Sequence, residues 1–196
     1  MSRAGRRKPS ETKSQKGRAK RSLLFLIPLV VGIVVLGYVV TEPSRPASVD
    51  AGDIAPDFEL SEVGPYGLTG DTAKLSSFRG RVVFLEFMES WCSGCRWVAP
   101  AIETIREEYE PRGVVFISVA GTLRGADATT TAAFIKEYGT HWTYVLDSDN
   151  NVFSRYQVDA TPTFFIIDKD VVIMNRYKGA TTTETFTSAL DTALAT

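Results

Sequence analysis

The stretch that most constrains this chain is Val82-Val83-Phe84-Leu85-Glu86-Phe87-Met88 followed by Trp91-Cys92-Ser93-Gly94-Cys95. The nearly continuous apolar run has the pattern of a strand covered on both faces, which requires layers of helix above and below it. Directly after it, Val98, Ala101, Ile102, Ile105 and Tyr109 recur at helical spacing, with Glu103, Arg106, Glu107 and Glu108 on the other side. The only two cysteines of the chain thus fall at a predicted strand-to-helix turn. A helix start presents unpaired N–H groups and the positive end of the peptide dipole, which favour a thiolate over a thiol. Cys92 is the expected nucleophile, and Cys95 is placed to resolve a mixed disulfide from within the same turn.

The remaining pattern alternates strand and helix. Strands are predicted near Phe58–Leu60, Val114–Val119 and Trp142–Leu146, and helices over Thr129–Tyr138, closed by Gly139, and Asn150–Tyr156. Thr163–Ile167 and Val171–Met174 flank Asp168-Lys169-Asp170 as a hairpin, and a last helix is predicted from Thr183 to Leu194. Gly64-Pro65-Tyr66-Gly67 and Gly70 predict turns before Lys74. This order describes an α/β domain with a mixed central sheet flanked by helices, and about 145 residues suffice for one buried core.

Charge is distributed unevenly. Residues 1–21 hold nine Lys or Arg and one acid, which leaves 13 bases against 22 acids in the rest. Leu23 to Val40 is then eighteen residues without a charge, long enough as a helix for about 27 Å, close to the hydrocarbon thickness of a bilayer. A signal peptide has a shorter apolar core of about 7–15 residues and a cleavage site of small residues, and Thr41-Glu42-Pro43-Ser44-Arg45-Pro46 offers none. The length therefore favours an uncleaved anchor over a cleaved leader. Nine bases before the span and only Arg45 just after it place the N-terminus in the cytoplasm and the rest outside. The expected organisation is a basic cytoplasmic tail (1–22), a transmembrane anchor (23–40), a linker (41–51) and a folded domain (52–196). The basic tail is explained by the span, and no nucleic-acid partner is expected.

With Ala55-Pro56-Asp57-Phe58, Trp91-Cys92-x-x-Cys95, Pro100 and Thr161-Pro162-Thr163 in this order, residues 52–196 resemble the membrane-anchored, extracytoplasmic thiol–disulfide oxidoreductases of the thioredoxin fold (TlpA-like, redoxin family). The resemblance implies exchange with extracytoplasmic protein dithiols or disulfides, in a cytochrome-maturation setting, with electrons passed by a membrane redox partner. It implies a cis bond before Pro162, whose backbone binds an extended substrate segment; Trp91 and Thr161 are assigned to the same substrate-binding surface, with Trp91 packed against the turn and shielding the bridge. It also implies that Glu86, six residues before Cys92, lies beneath the cysteines and moves a proton for the resolving thiol. Against this role stands an ordinary ion pair of Glu86 with Arg79, Arg81 or another base at a strand edge. Ser93-Gly94 departs from the Cys-x-Pro-Cys of many relatives and alters both the rigidity of the turn and the donors near sulfur. Trp97 and Trp142 are assigned to packing or to a substrate-facing surface alike.

Neither cofactor nor metal is expected, since zinc needs about four ligands and only His141 accompanies the two cysteines. Two other functions compete. A peroxiredoxin-like peroxidase shares Ala-Pro-Asp-Phe but resembles a Pro-x-x-x-Thr-x-x-Cys signature, and here Leu85 and Glu89 occupy the Pro and Thr places. A copper carrier resembles Cys-x-x-x-Cys with a distant His, one residue wider than the spacing here.

Overall fold

The computed structural model describes residues 49–196. The predicted tail, anchor and most of the linker lie outside these residues. Among the described residues no helix is long and apolar enough to cross a membrane.

Seven strands form one sheet: β1 (Glu59–Gly64), β2 (Gly67–Lys74), β3 (Val83–Met88), β4 (Val115–Ala120), β5 (Thr143–Leu146), β6 (Thr163–Ile167) and β7 (Ile173–Lys178). Their order is β2-β1-β5-β4-β3-β6-β7. The three central strands are parallel, whereas β1, β6 and β7 pair antiparallel with their neighbours, so the sheet is mixed as expected. The helices are α1 (Ser93–Tyr109), α2 (Ala128–Tyr138), α3 (Asn151–Arg155) and α4 (Thr183–Ala195).

Strand periodicity sorts the core. Leu85 and Phe87 of β3 point to one face, where they join Ile117, Val119, Val145 and Phe165 under Val152, Phe153 and Tyr156. Phe84 points to the other face, against Val98, Ile102 and Ile105 of α1 and Phe186 and Leu190 of α4. Met88, on the same side as Phe84, packs with both cysteines, Ala120 and the α2 residues Phe134 and Ile135. Each fully buried Phe, Leu or Ile here contributes about 1.5–3 kcal/mol relative to exposure. The alternation also sends Glu86, between Phe84 and Met88, to the α1 side of the sheet, beneath the helix that carries the cysteines.

Two expectations need correction. Gly67–Lys74 is strand β2 rather than a run of turns; it is an edge strand with mostly exposed side chains, so it has no apolar alternation, and its conformation comes from pairing with β1. The second arm of the last hairpin runs over Ile173–Lys178, because Val171 takes a left-handed turn conformation (φ 68°) and the strand continues into polar residues at the sheet edge.

Candidate active site

Cys92 is the N-cap of α1, in an extended conformation (φ −70°, ψ 117°), and its sulfur accepts the backbone N–H of Cys95 at 3.2 Å. The sulfur stands where a Ser or Asp oxygen usually caps a helix, and a negative charge there is favoured by the N–H groups it meets. The Cys95 thiol foremost, then the Thr161 hydroxyl and the N–H groups of Cys95 and Gly94, favour the charged form of this sulfur and against the cost of burial pull the Cys92 thiol down to about 5. Cys95 is fully buried among Met88, Ala99 and Ala120. Burial, followed by its hydrogen bond to Cys92 and the charge of Glu86, pushes the Cys95 thiol far up. Both cysteines are free thiols, so this is the reduced site, and the opposite directions of the two groups favour an ionised Cys92 beside a protonated Cys95 near neutral pH.

Glu86 is 3% exposed and pairs with neither Arg79 nor Arg81. Arg81 instead donates to the carbonyl of Gly113 at 3.1 Å. Strand register explains the real partner: Glu86 lies opposite Ser118 in the parallel β3–β4 pair, and the Ser118 hydroxyl donates to Glu86 Oε2 at 2.5 Å. Trp142 Nε1 donates in turn to Ser118 Oγ at 2.7 Å. Burial raises the Glu86 carboxyl, the Ser118 hydrogen bond opposes this, and the Cys92 charge raises it further, to about 7. A carboxyl with that value next to two thiols can take and return a proton near neutral pH.

The Thr161–Pro162 bond is cis. A Cβ on Gly94 would lie 2.9 Å from Pro162 Cδ and 3.8 Å from Cys92 Sγ, so the proline loop closes directly on the cysteine turn, and the missing side chain at 94 permits that approach. Thr161 is drawn to the sulfur by its hydroxyl as well. Trp91 is 38% exposed, donates its indole N–H to the Leu123 carbonyl at 3.0 Å, and carries the Arg124 guanidinium 4.3 Å above its ring.

All six residues singled out from the sequence, Cys92, Cys95, Glu86, Trp91, Thr161 and Pro162, therefore lie at or directly beneath one end of the sheet. The two undecided tryptophans separate: Trp97 is 71% exposed, while Trp142 is half-buried, stacked on Tyr144 and bonded to Ser118. His141 lies on the surface and pairs with Glu103 at 2.8 Å. Ser118, the Trp142 indole and Arg124 were not foreseen as parts of the site. Ser118 had a signal, since it breaks the apolar run Val114–Val119 as Glu86 breaks its own.

Residues 51–176 match the AhpC/TSA family. Similar curated proteins include the thiol–disulfide oxidoreductase ResA of Bacillus cereus (strain ATCC 10987), 29% identical over 84% of this chain and 92% of its own, and ResA of Bacillus subtilis, 29% identical over 79% and 83%. Among solved structures, a Chlorobium tepidum protein described as thiol:disulfide interchange protein DsbE superposes with a TM-score of 0.63, is 30% identical, and covers 74% of this chain and 98% of its own. These relatives favour neither the peroxidase nor the copper carrier. The chain belongs to the AhpC/TSA family, as a thiol–disulfide oxidoreductase of the thioredoxin fold.

Proposed function

We propose that the chain is an anchored extracytoplasmic reductase of protein disulfides, with Cys92 as nucleophile, Cys95 as resolving thiol and Glu86 as the proton acceptor for Cys95. The Cys92 thiolate attacks one sulfur of the substrate disulfide; that S–S bond breaks, the other substrate sulfur leaves as a thiolate, and a mixed disulfide forms. Glu86 then takes the proton of Cys95, whose sulfur attacks Cys92 Sγ, releasing the second substrate thiolate and closing the Cys92–Cys95 bridge. The bridge returns to the dithiol by two electrons from a membrane redox partner, and cytochrome maturation is the setting that the family resemblance suggests. Trp91, Thr161 and Pro162 form the wall against which an extended substrate segment lies.

Placement outside the membrane rests on the charge-free stretch 23–40 and the nine bases before it. The same reading assigns 1–22 to a cytoplasmic tail, 41–51 to a linker and 52–196 to the catalytic domain.

One observation carries the mechanism: two thiols three residues apart are driven in opposite directions, Cys92 down by hydrogen bonds and Cys95 up by burial. The test is Cys95→Ser, which leaves the attacking sulfur but nothing to resolve it. The variant is expected to accumulate disulfide-linked adducts through Cys92 with extracytoplasmic proteins, and their absence at every redox poise would refute the assignment.

A further inference from the structure

Beside the cysteine turn lies an open groove of about 280 Å³, lined among others by Trp91, Arg96, Arg124, Thr130, Phe134 and Glu137. It begins at Ser90 and Trp91, the two residues before Cys92. Its wall is anchored from below. The buried Glu89 accepts the N–H of Leu123 through Oε1 at 3.2 Å, and Gly121 packs so closely that a Cβ there would lie 2.3 Å from the same oxygen. Leu123 in turn accepts the Trp91 indole, and Arg124, in a left-handed conformation (φ 54°), folds back over the Trp91 ring. Arg96 is fixed by two bonds to the Ser90 carbonyl, at 3.2 and 3.0 Å from Nε and Nη2.

Both guanidinium groups are thus held in place at the surface, yet among the described residues neither has a carboxylate within ion-pair distance. Elsewhere on the domain Lys74, Arg106, Arg112, Arg176 and Lys178 each meet an acid, whereas Arg96 and Arg124 stand on one groove with guanidinium N–H donors open to a carboxylate. Arginine with a fixed fork recognises a carboxylate through paired N–H donors, and an aromatic face alongside suits the adjoining peptide backbone or apolar side chain.

We infer that this groove seats the stretch of substrate chain flanking the reacting cysteine and selects an acidic side chain there, through Arg96 and Arg124. The inference rests on the proposed reaction at Cys92. An extended chain advances about 3.3 Å per residue, so the position of the selected acid along the peptide measures how far the two guanidinium groups stand from the reacting sulfur.

The test uses the reduced full-length chain and two kinds of probe. Bis(2-hydroxyethyl) disulfide, uncharged and too small to reach the groove, reports the exchange reaction itself. Peptides with one internal disulfide, carrying Asp, Asn or Lys at each of four positions on either side of the first cysteine, report the groove. At one or two positions the Asp peptide is expected to react about fivefold faster than the Asn peptide, and the Lys peptide slower still. The advantage should shrink in high salt, fall in Arg124→Gln, be kept only in part in Arg124→Lys, and disappear when Arg96→Gln and Arg124→Gln are combined. Equal rates for the Asp, Asn and Lys peptides at every position, with the small disulfide still reduced, would overturn the groove assignment alone. Failure to reduce the small disulfide would overturn the proposed reaction instead.

Discussion

Replacing Glu86 with Gln removes a buried titration while keeping the shape of the side chain and an acceptor for the Ser118 hydroxyl. The ordinary carboxyl value near 4.5 is raised to about 7 in the folded reduced protein. Between those values the folded state binds a proton that the unfolded state has released, so stability is lost as pH rises from about 4.5 to 7 and is level above that. Integrated over this window, wild-type stability falls by about 2–3 kcal/mol more between pH 5 and pH 8 than that of Glu86→Gln. An unsatisfied amide N–H in the variant adds a cost of about 1–3 kcal/mol, but this cost is the same at both pH values and cancels in the comparison. The groups facing the carboxyl are Cys92, Cys95 and Tyr144. Burial keeps the Cys95 thiol and the Tyr144 phenol protonated across the window. The Cys92 charge is part of what raises Glu86, so the effect should be smaller in the oxidised protein, where that charge is gone. Urea unfolding of wild type and variant, reduced and oxidised, at pH 5 and pH 8 measures all of this. Parallel pH dependence in the two reduced proteins would refute the reasoning, because it would show that the buried carboxyl titrates as it does in the unfolded chain.

Other perturbations follow from the same geometry. Gly94→Ala forces the Cβ to 2.9 Å from Pro162 Cδ, so the proline loop and the helix start must part by a few tenths of an ångström; thermal stability should change little while peptide-disulfide reduction slows about tenfold, and an unchanged rate would show that the approach of Pro162 is not needed. Gly121→Ala meets Glu89 Oε1 at 2.3 Å and Phe153 Cζ at 2.9 Å, and should cost about 1–3 kcal/mol in urea unfolding. Trp142→Phe deprives Ser118 of its donor and leaves the stacking on Tyr144, so it should shift the pH dependence of bridge reduction with only a small change in unfolding free energy.

Much of the site was legible because its chemistry is local. Cys92 and Cys95 announce a thiol pair by spacing, and the apolar run before them with the amphipathic pattern after them sets a strand-to-helix turn. The place of Glu86 could be read as well, since period-two alternation sends it to the same face as Phe84 and Met88. What could not be read was its partner: the Glu86–Ser118 bond depends on the register of two strands 32 residues apart, and register is a property of the sheet. Strand β2 was missed for a similar reason, because its exposed polar residues take their conformation from the strand beside them. The wall made by Trp91, Leu123 and Arg124 joins segments that no local pattern connects, and the positive φ of Arg124 has no signal in its residue type.

The central claim is that the Cys92 sulfur is ionised at neutral pH while its neighbour 95 keeps its proton. Thiolate absorbance at 240 nm, followed in the reduced protein from pH 3 to pH 10, tests it most directly. The account predicts one step near pH 5, lost in Cys92→Ser, with no second cysteine-dependent step below pH 10 once the tyrosinate rise recorded with both cysteines replaced by Ser is subtracted. A first step at the ordinary thiol value near 9, or two steps together there, would contradict it.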